Sequence, residues 1–418
     1  MKTTAHHISI SQKDRKLLRD LAKKVAEIAS QPCQQTKINM WRHHNKLERI
    51  KPMVLVFPEG SWREMLPEKS LCCETDFTRR MERDLKTRIY YSKHLPDDNV
   101  IENIIYAPIK INISGWGLEA HSTKPQDQTG AYHIDPVINS EADVDKLTTP
   151  KITVDREETE RIKETMNALF NDILIVKQHG VGNYGLAPID HYATLRGIDN
   201  MFIDLVDNPG MVHKAISRIV EGHISIIKTL EEEGLLSLSN RNHYVGSGGV
   251  AYTDELPAAD YNGVHVRPKD LWGFATAQIF SEVSPAMHEE FALQYERKVL
   301  ELFGLNCYGC CEPLHLKLDA IFRNIPRLRR VSISPWADIR VSAEKIGKRC
   351  IFSWKPNPAI VAGETWNPEY VKKIITEFCE ITRNCVVEII LKDTHTCRNH
   401  PERIWEWVSI TQKITEKF

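Results

Sequence analysis

The feature that most constrains this chain is an alternation of short β-type runs with longer helical patterns. Runs of strand-forming residues stand at 53–57, 173–177, 236–240, 276–280, 305–308, 330–334, 350–354 and 386–392. Between several of them apolar residues recur at three- and four-residue steps, over 155–170, 198–233, 284–303, 316–325 and 368–382. Pro209 and Gly210 must divide the second of these patterns into two helices, because proline removes a backbone donor and clashes with the preceding turn. A strand followed by a helix, repeated, builds a parallel sheet. Eight such strands fit an α/β fold, the closed (β/α)8 TIM barrel, which typically uses about 250 residues as one domain.

Two segments depart from that rhythm. Residues 1–50 read as an N-terminal helical extension: Ser11 can cap a helix in which Leu17, Leu18, Leu21, Val25 and Ile28 recur on one face. Residues 72–150 hold a β-like run at 104–114 and a loop at 115–135 rich in Gly, Pro, Thr and His. They read as an insertion between the first two barrel strands, and long loops in compact domains tend to be functional. Residues 51–418 are then a single barrel domain.

Charge and composition limit the partners. Against 55 Lys+Arg stand 56 Asp+Glu, for a net charge of -1. Such a balance argues against a nucleic-acid surface or a polybasic membrane anchor. No apolar run reaches the length of a membrane span. Met1–His7 lacks the apolar core of a secretory signal. The expected compartment is a reducing cytoplasm, where the 10 cysteines read as thiols or metal ligands rather than a disulfide framework.

In a barrel of this kind the chemistry gathers where strands end. After the first strand comes Pro58-Glu59-Gly60-Ser61-Trp62, where a carboxylate beside an indole suits acid–base work or cation binding, or equally a helix cap beside a core Trp. Gln178-His179-Gly180 follows the second strand, and Asn240-Arg241-Asn242 the third. Lys355-Pro356-Asn357 follows the seventh and Lys392-Asp393-Thr394-His395 the eighth. Glu59, His179 and Tyr308 are therefore candidate acids or orienting groups, and Trp62, Asn240, Asn242, Lys355 and Asn357 candidate pocket residues. Gly246-Ser247-Gly248-Gly249 lacks the Lys-Ser/Thr of a phosphate loop and reads as a flexible connection.

The cysteines and histidines give the sharpest signal. Cys307, Cys310, Cys311 and His315 fall within nine residues, and His395 and Cys397 follow another strand end. A catalytic zinc takes about three protein ligands and leaves one position open. Cys310, His315 and Cys397 are the candidate ligands, while Cys307, Cys350, Cys379 and Cys385 read as small buried hydrophobes.

Five stretches in order carry a family resemblance. They are Leu195-Arg-Gly-Ile-Asp199 with Asp204–Pro209, Ser284-Pro-Ala-Met-His288, Tyr308-Gly-Cys310, Trp354–Pro358, and Cys397 before His400-Pro-Glu-Arg. With these the chain resembles the uroporphyrinogen decarboxylase superfamily, most closely its corrinoid-dependent methyltransferase-like branch, from about Met53 onward. The resemblance implies a (β/α)8 barrel and one of two activities. One is methyl transfer between a small O-methyl or N-methyl compound and a corrinoid (cobalamin) protein, commonly with zinc. The other is decarboxylation without a metal. It also implies a homodimer. Tyr308 stands where the methyltransferases carry a His ligand, so His315, Cys311 or Glu312 would have to complete a zinc site. Where true decarboxylases carry an Arg-rich motif, this chain has Glu59 and Trp62, which opposes a polycarboxylate substrate. Nothing resembles a cobalamin-binding Asp-x-His-x-x-Gly segment, so the corrinoid would come on a partner protein.

Overall fold

The computed structural model describes residues 8–119, 121–123 and 133–418. Part of the loop at 115–135 therefore lies outside the described residues. Nine parallel-pairing strands organise the chain: β1 Met53–Val56, β2 Ile104–Pro108, β3 Ile175–His179, β4 Asn183–Leu186, β5 Trp272–Ala275, β6 Leu305–Tyr308, β7 Leu328–Ile333, β8 Ile351–Trp354 and β9 Val386–Leu391. Seven of them form one sheet in the order β1-β9-β8-β7-β6-β5-β4, all parallel. The first strand thus pairs with the last, as a barrel requires.

The ladder does not close among the described residues. β2 and β3 form a separate parallel pair. At the free edge of β1 two carboxylates stand in for a strand: Val54 N–H donates to Asp98 Oδ2 (2.7 Å) and Val56 N–H to Asp97 Oδ2 (3.1 Å). Burial pushes the Asp97 carboxyl up to about 7.

Alternation along the strands sorts the side chains. In β9, Val387, Ile389 and Leu391 join the large core shared with the outer helices, whereas Glu388 and Ile390 face the other way. That inner face is covered by the segment expected to be a flexible glycine loop. Tyr244–Val245 and Gly249–Val250 form a short antiparallel hairpin packed against β6, β7 and β9. A Cβ on Gly246 would lie 2.6 Å from that of Cys307, and one on Gly249 2.2 Å from Arg330 Cζ. The hairpin needs glycine because the sheet is that close.

The N-terminal extension is two helices, α1 Gln12–Ala29 and α2 Pro32–Asn45. Ser11 Oγ accepts from Asp14 N–H (3.1 Å), and Leu18, Leu21, Ala22 and Val25 are buried against helices Asp76–His94 and Arg156–Phe170. α2 covers the hairpin: Asn45 Nδ2 donates to the carbonyls of Val250 (2.9 Å) and Tyr252 (2.7 Å).

Two expected strands differ. The 236–240 run makes only an isolated bridge, Leu236 with Val181, since Ser237 Oγ is taken up by Gly180 N–H and Asn240 by the Leu256 carbonyl. The 276–280 run is a 3-10 turn, and the strand lies just before it as β5. The divided helix is confirmed as Ile198–Asp207 and Pro209–Glu232.

Candidate active site

The C-terminal ends of β1, β6 and β9 and the tip of the hairpin bring one ionisable cluster together. Lys392 follows β9 directly and is buried, with Nζ 3.4 Å from Ser247 Oγ. Ser247 in turn donates to the Cys310 thiol (3.3 Å), whose sulfur lies 3.4 Å from that of Cys311. Burial alone would depress the Lys392 ammonium, but the surrounding Tyr244, Cys310, Asp393 and Glu59 outweigh it and hold it charged. The Cys311 thiol, then Ser247 and Lys392, hold Cys310 below the usual thiol range against the cost of burial, which favours the thiolate there.

Glu59 stands on the rim with a backbone φ of 44°, a left-handed conformation that a non-glycine residue rarely holds without cause. Asp393, opposite it, is also left-handed (φ 58°) and donates its N–H to Glu59 Oε2 at 2.6 Å. Loss of hydration on its covered side, with Asp393 nearby, pushes the Glu59 carboxyl up despite Lys392. Lys355, at the end of β8, is buried and donates to Ser353 Oγ (2.6 Å); burial brings its ammonium down to about 7.

Other expected site residues are placed elsewhere. Tyr308 is fully buried on the outer side of β6, where its hydroxyl donates to Glu296 Oε2 (2.8 Å) and meets His288 Nε2 (2.7 Å). That hydroxyl is committed to the helical layer. Asn240 is tied to Leu256, and Asn242 to Asn99 Oδ1 (3.2 Å) and the Val100 carbonyl. Asn357 accepts from Ala359 N–H (2.9 Å) as a local turn. Trp62 packs on Tyr90 and Tyr91, ring centroids 5.4 and 5.7 Å away. His179 lies apart from the Lys392 cluster, stacked on His243 (centroids 4.9 Å, planes 17° apart).

Cys310, His315 and Cys397 do not come together. Cys397 is buried and donates its thiol to Glu64 Oε2 (2.9 Å); burial and that carboxylate push it up to about 12. Glu64 also accepts from the N–H groups of Cys397 (3.1 Å) and Asn399 (2.7 Å), which fixes the post-β9 loop. Glu312 is occupied by Thr276 Oγ1 (2.8 Å) and Cys310 N–H (3.0 Å). Among the described residues no group of three His, Cys, Asp or Glu side chains is arranged to hold a metal.

Sequence reasoning passed over Lys392 and Ser247. Lys392 could have been found, since it is a charge ending the mostly apolar run Val386–Leu391. Ser247 could not, because its role depends on the hairpin folding into the sheet.

Fold and site together define an α/β protein with a cysteine and a lysine joined through Ser247, and a rim carboxyl, at the C-terminal edge of a parallel sheet. No family model matches the chain, and no curated protein matches it. Among solved structures it is similar to a methyltransferase from Methanosarcina mazei, at 11% identity over 89% of this chain and 96% of that one, with a TM-score of 0.46. No helix among the described residues is long and apolar enough to cross a membrane.

Proposed function

We propose that this chain is a methyltransferase that moves a methyl group between a small O-methyl or N-methyl compound and a corrinoid carried by a separate protein. The observation that carries the reading is Glu59, a strained rim carboxyl biased toward its protonated form, beside the Lys392–Ser247–Cys310 cluster. When the methyl group departs, the electrons of the broken C–O or C–N bond stay with the leaving group, which must then take a proton. Glu59 stands where it could supply that proton at the strand ends. Lys392 offers a fixed positive charge to the developing anion, and Ser247 and Asp393, each 3.4 Å away, keep that lysine in place. The corrinoid would supply the nucleophile for the methyl group. No step is assigned to zinc, because the three candidate ligands do not fit one site.

A second reading, a carboxy-lyase acting without a metal, is favoured by one observation. Lys392 is a buried cation able to hold a substrate carboxylate. A polycarboxylate would also meet Asp393, which already pairs with Lys392 (3.4 Å), so the methyltransferase reading is preferred.

The test is incubation of the protein and cob(I)alamin, free or protein-bound, with a panel of O-methyl and N-methyl compounds. The expected result is the absorbance change of cobalt methylation, slowed about 100-fold in Glu59→Gln. Carbon dioxide release without a change at cobalt would establish the lyase instead.

A further inference from the structure

A cavity of about 290 Å³ lies between β2 and helices Asp76–His94 and Arg156–Phe170. None of the residues around it belongs to the Lys392 cluster.

Its floor is apolar. Phe77, Met81, Ile105, Ile162 and Met166 line it, and all five belong to the cluster on which the N-terminal extension packs. Protein interiors are close-packed, and atoms that face a gap forfeit dispersion contacts. A hollow over such a floor therefore favours an apolar occupant. The two methionines can adapt their unbranched side chains to one.

Its edge is cationic. Arg79, Arg83, Lys86 and Arg88 of helix Asp76–His94 each meet a carboxylate, from Glu68, Glu82 or Asp84. Arg80 does not, and neither does Lys110, which follows β2. Among the described residues, neither of these two side chains has an ion-pair or hydrogen-bond partner, and both line this cavity. The carboxylate in the lining, Asp84, is already held by Arg88 (2.8 Å). A solvated surface cation needs no partner. Two uncommitted ones beside the same apolar hollow, however, match an anionic head group joined to an apolar body. Their methylenes can lie along the wall while the charges stay at the water. The volume is at the small end for ligand pockets, which fits one short chain and not a coenzyme.

We propose that this cavity binds a medium-chain aliphatic carboxylate, with its carboxylate at Arg80 and Lys110 and its chain over the floor of Met81, Ile162 and Met166. The Arg80 guanidinium offers the paired N–H donors that a carboxylate takes. A phosphate dianion suits the edge less, because Asp84 stands on it too. The site does not rest on the methyltransferase reading and stands whatever chemistry the strand ends perform.

The test is calorimetric titration of the full chain at low ionic strength with octanoate, butanoate, 1-octanol and octylammonium, each kept below the concentration at which it aggregates. Octanoate is expected to bind. Butanoate, which lacks most of the chain, and 1-octanol, which lacks the charge, should each bind at least about tenfold more weakly. Octylammonium should give no measurable heat. Arg80→Gln/Lys110→Gln should weaken octanoate about tenfold, leave 1-octanol within about twofold, and melt near the parent temperature, since neither side chain is part of the core. Lys392→Met should bind octanoate as the parent does. No heat from octanoate, 1-octanol or butanoate binding as tightly as octanoate, or unchanged octanoate binding in the double variant would each overturn the proposal. Loss of octanoate binding in Lys392→Met would also overturn it, by placing the carboxylate at the strand ends.

Discussion

Arg330 and Glu388 meet twice on the inner face of the sheet, Nε to Oε1 at 2.7 Å and Nη2 to Oε2 at 3.1 Å, with both side chains at most 1% exposed. His44 Nε2 lies 3.2 Å from the same carboxylate, and Asn45 Oδ1 accepts from Arg330 Nη2 (3.0 Å). The pair therefore joins β7 and β9 to α2.

Removing one partner leaves the other buried and uncompensated, which typically costs about 3–5 kcal/mol. Arg330→Met is expected to destabilise the protein by that amount in urea denaturation, and Arg330→Met/Glu388→Leu to recover most of it. Burial opposes the Glu388 charge, but Arg330 and His44 outweigh it and bring the carboxyl down to about 2. A depressed carboxyl contributes stability that is present above its unfolded value, near 4.5, and is lost as pH falls toward 2. The acid limb of the stability curve should accordingly flatten in Arg330→Met.

Cys310 should react as a thiolate. Iodoacetamide labelling of this residue, followed by mass spectrometry of its peptide, is expected to be half-maximal below the ordinary thiol range. Cys311→Ser and Lys392→Met each remove a group that favours the thiolate, so both should move that midpoint upward. A midpoint in the ordinary thiol range in the parent protein would show that the cluster does not activate Cys310.

Glu296 gives the opposite pH dependence to Glu388. It is fully buried, its Oε1 has no partner, and burial pushes it up to about 8 in spite of the Tyr308 hydroxyl. Between its unfolded value near 4.5 and about 8, the folded state holds a proton that the unfolded state has lost. Stability from this group therefore falls as pH rises through that window. Glu296→Gln should match the parent at pH 5 and exceed its melting temperature at pH 8.5. Equal melting temperatures at both pH values would count against a buried, protonated Glu296.

The sheet was legible wherever an apolar run was long and both its faces are buried. Val386–Leu391 and Leu305–Tyr308 lie within a residue of where periodicity puts them. Residues 236–240 were misread because Leu236-Ser237-Leu238-Ser239 alternates like a strand, while Ser237 and Asn240 spend their polar groups on loops. Closure of the barrel is not seen among the described residues, for a related reason. A carboxylate can satisfy an edge N–H as well as a strand can, and Asp97-Asp98 carries no strand signal. In the site, Glu59 and Cys310 followed from their places after strands. Tyr308 has the same kind of place but points to the other face, and one residue of register decides which.

Cys397 is the residue on which a metal reading and a structural reading differ most. Its thiol is one of several donors to Glu64, and the pair sits behind the rim rather than in the Lys392 cluster. Loss of a hydrogen bond to a charged group, plus a small cavity, should cost about 2 kcal/mol in Cys397→Ala. Cys397→Ser keeps a donor to Glu64 and is expected to cost less than the alanine variant. If the role is structural, both variants retain methyl transfer within about threefold once folded, since none of the charges at the mouth has changed. Metal content by mass spectrometry should likewise be the same in parent and Cys397→Ala. A loss of bound zinc together with activity in the alanine variant, at unchanged melting temperature, would instead place Cys397 in a metal site that forms only when the Glu64 contact opens.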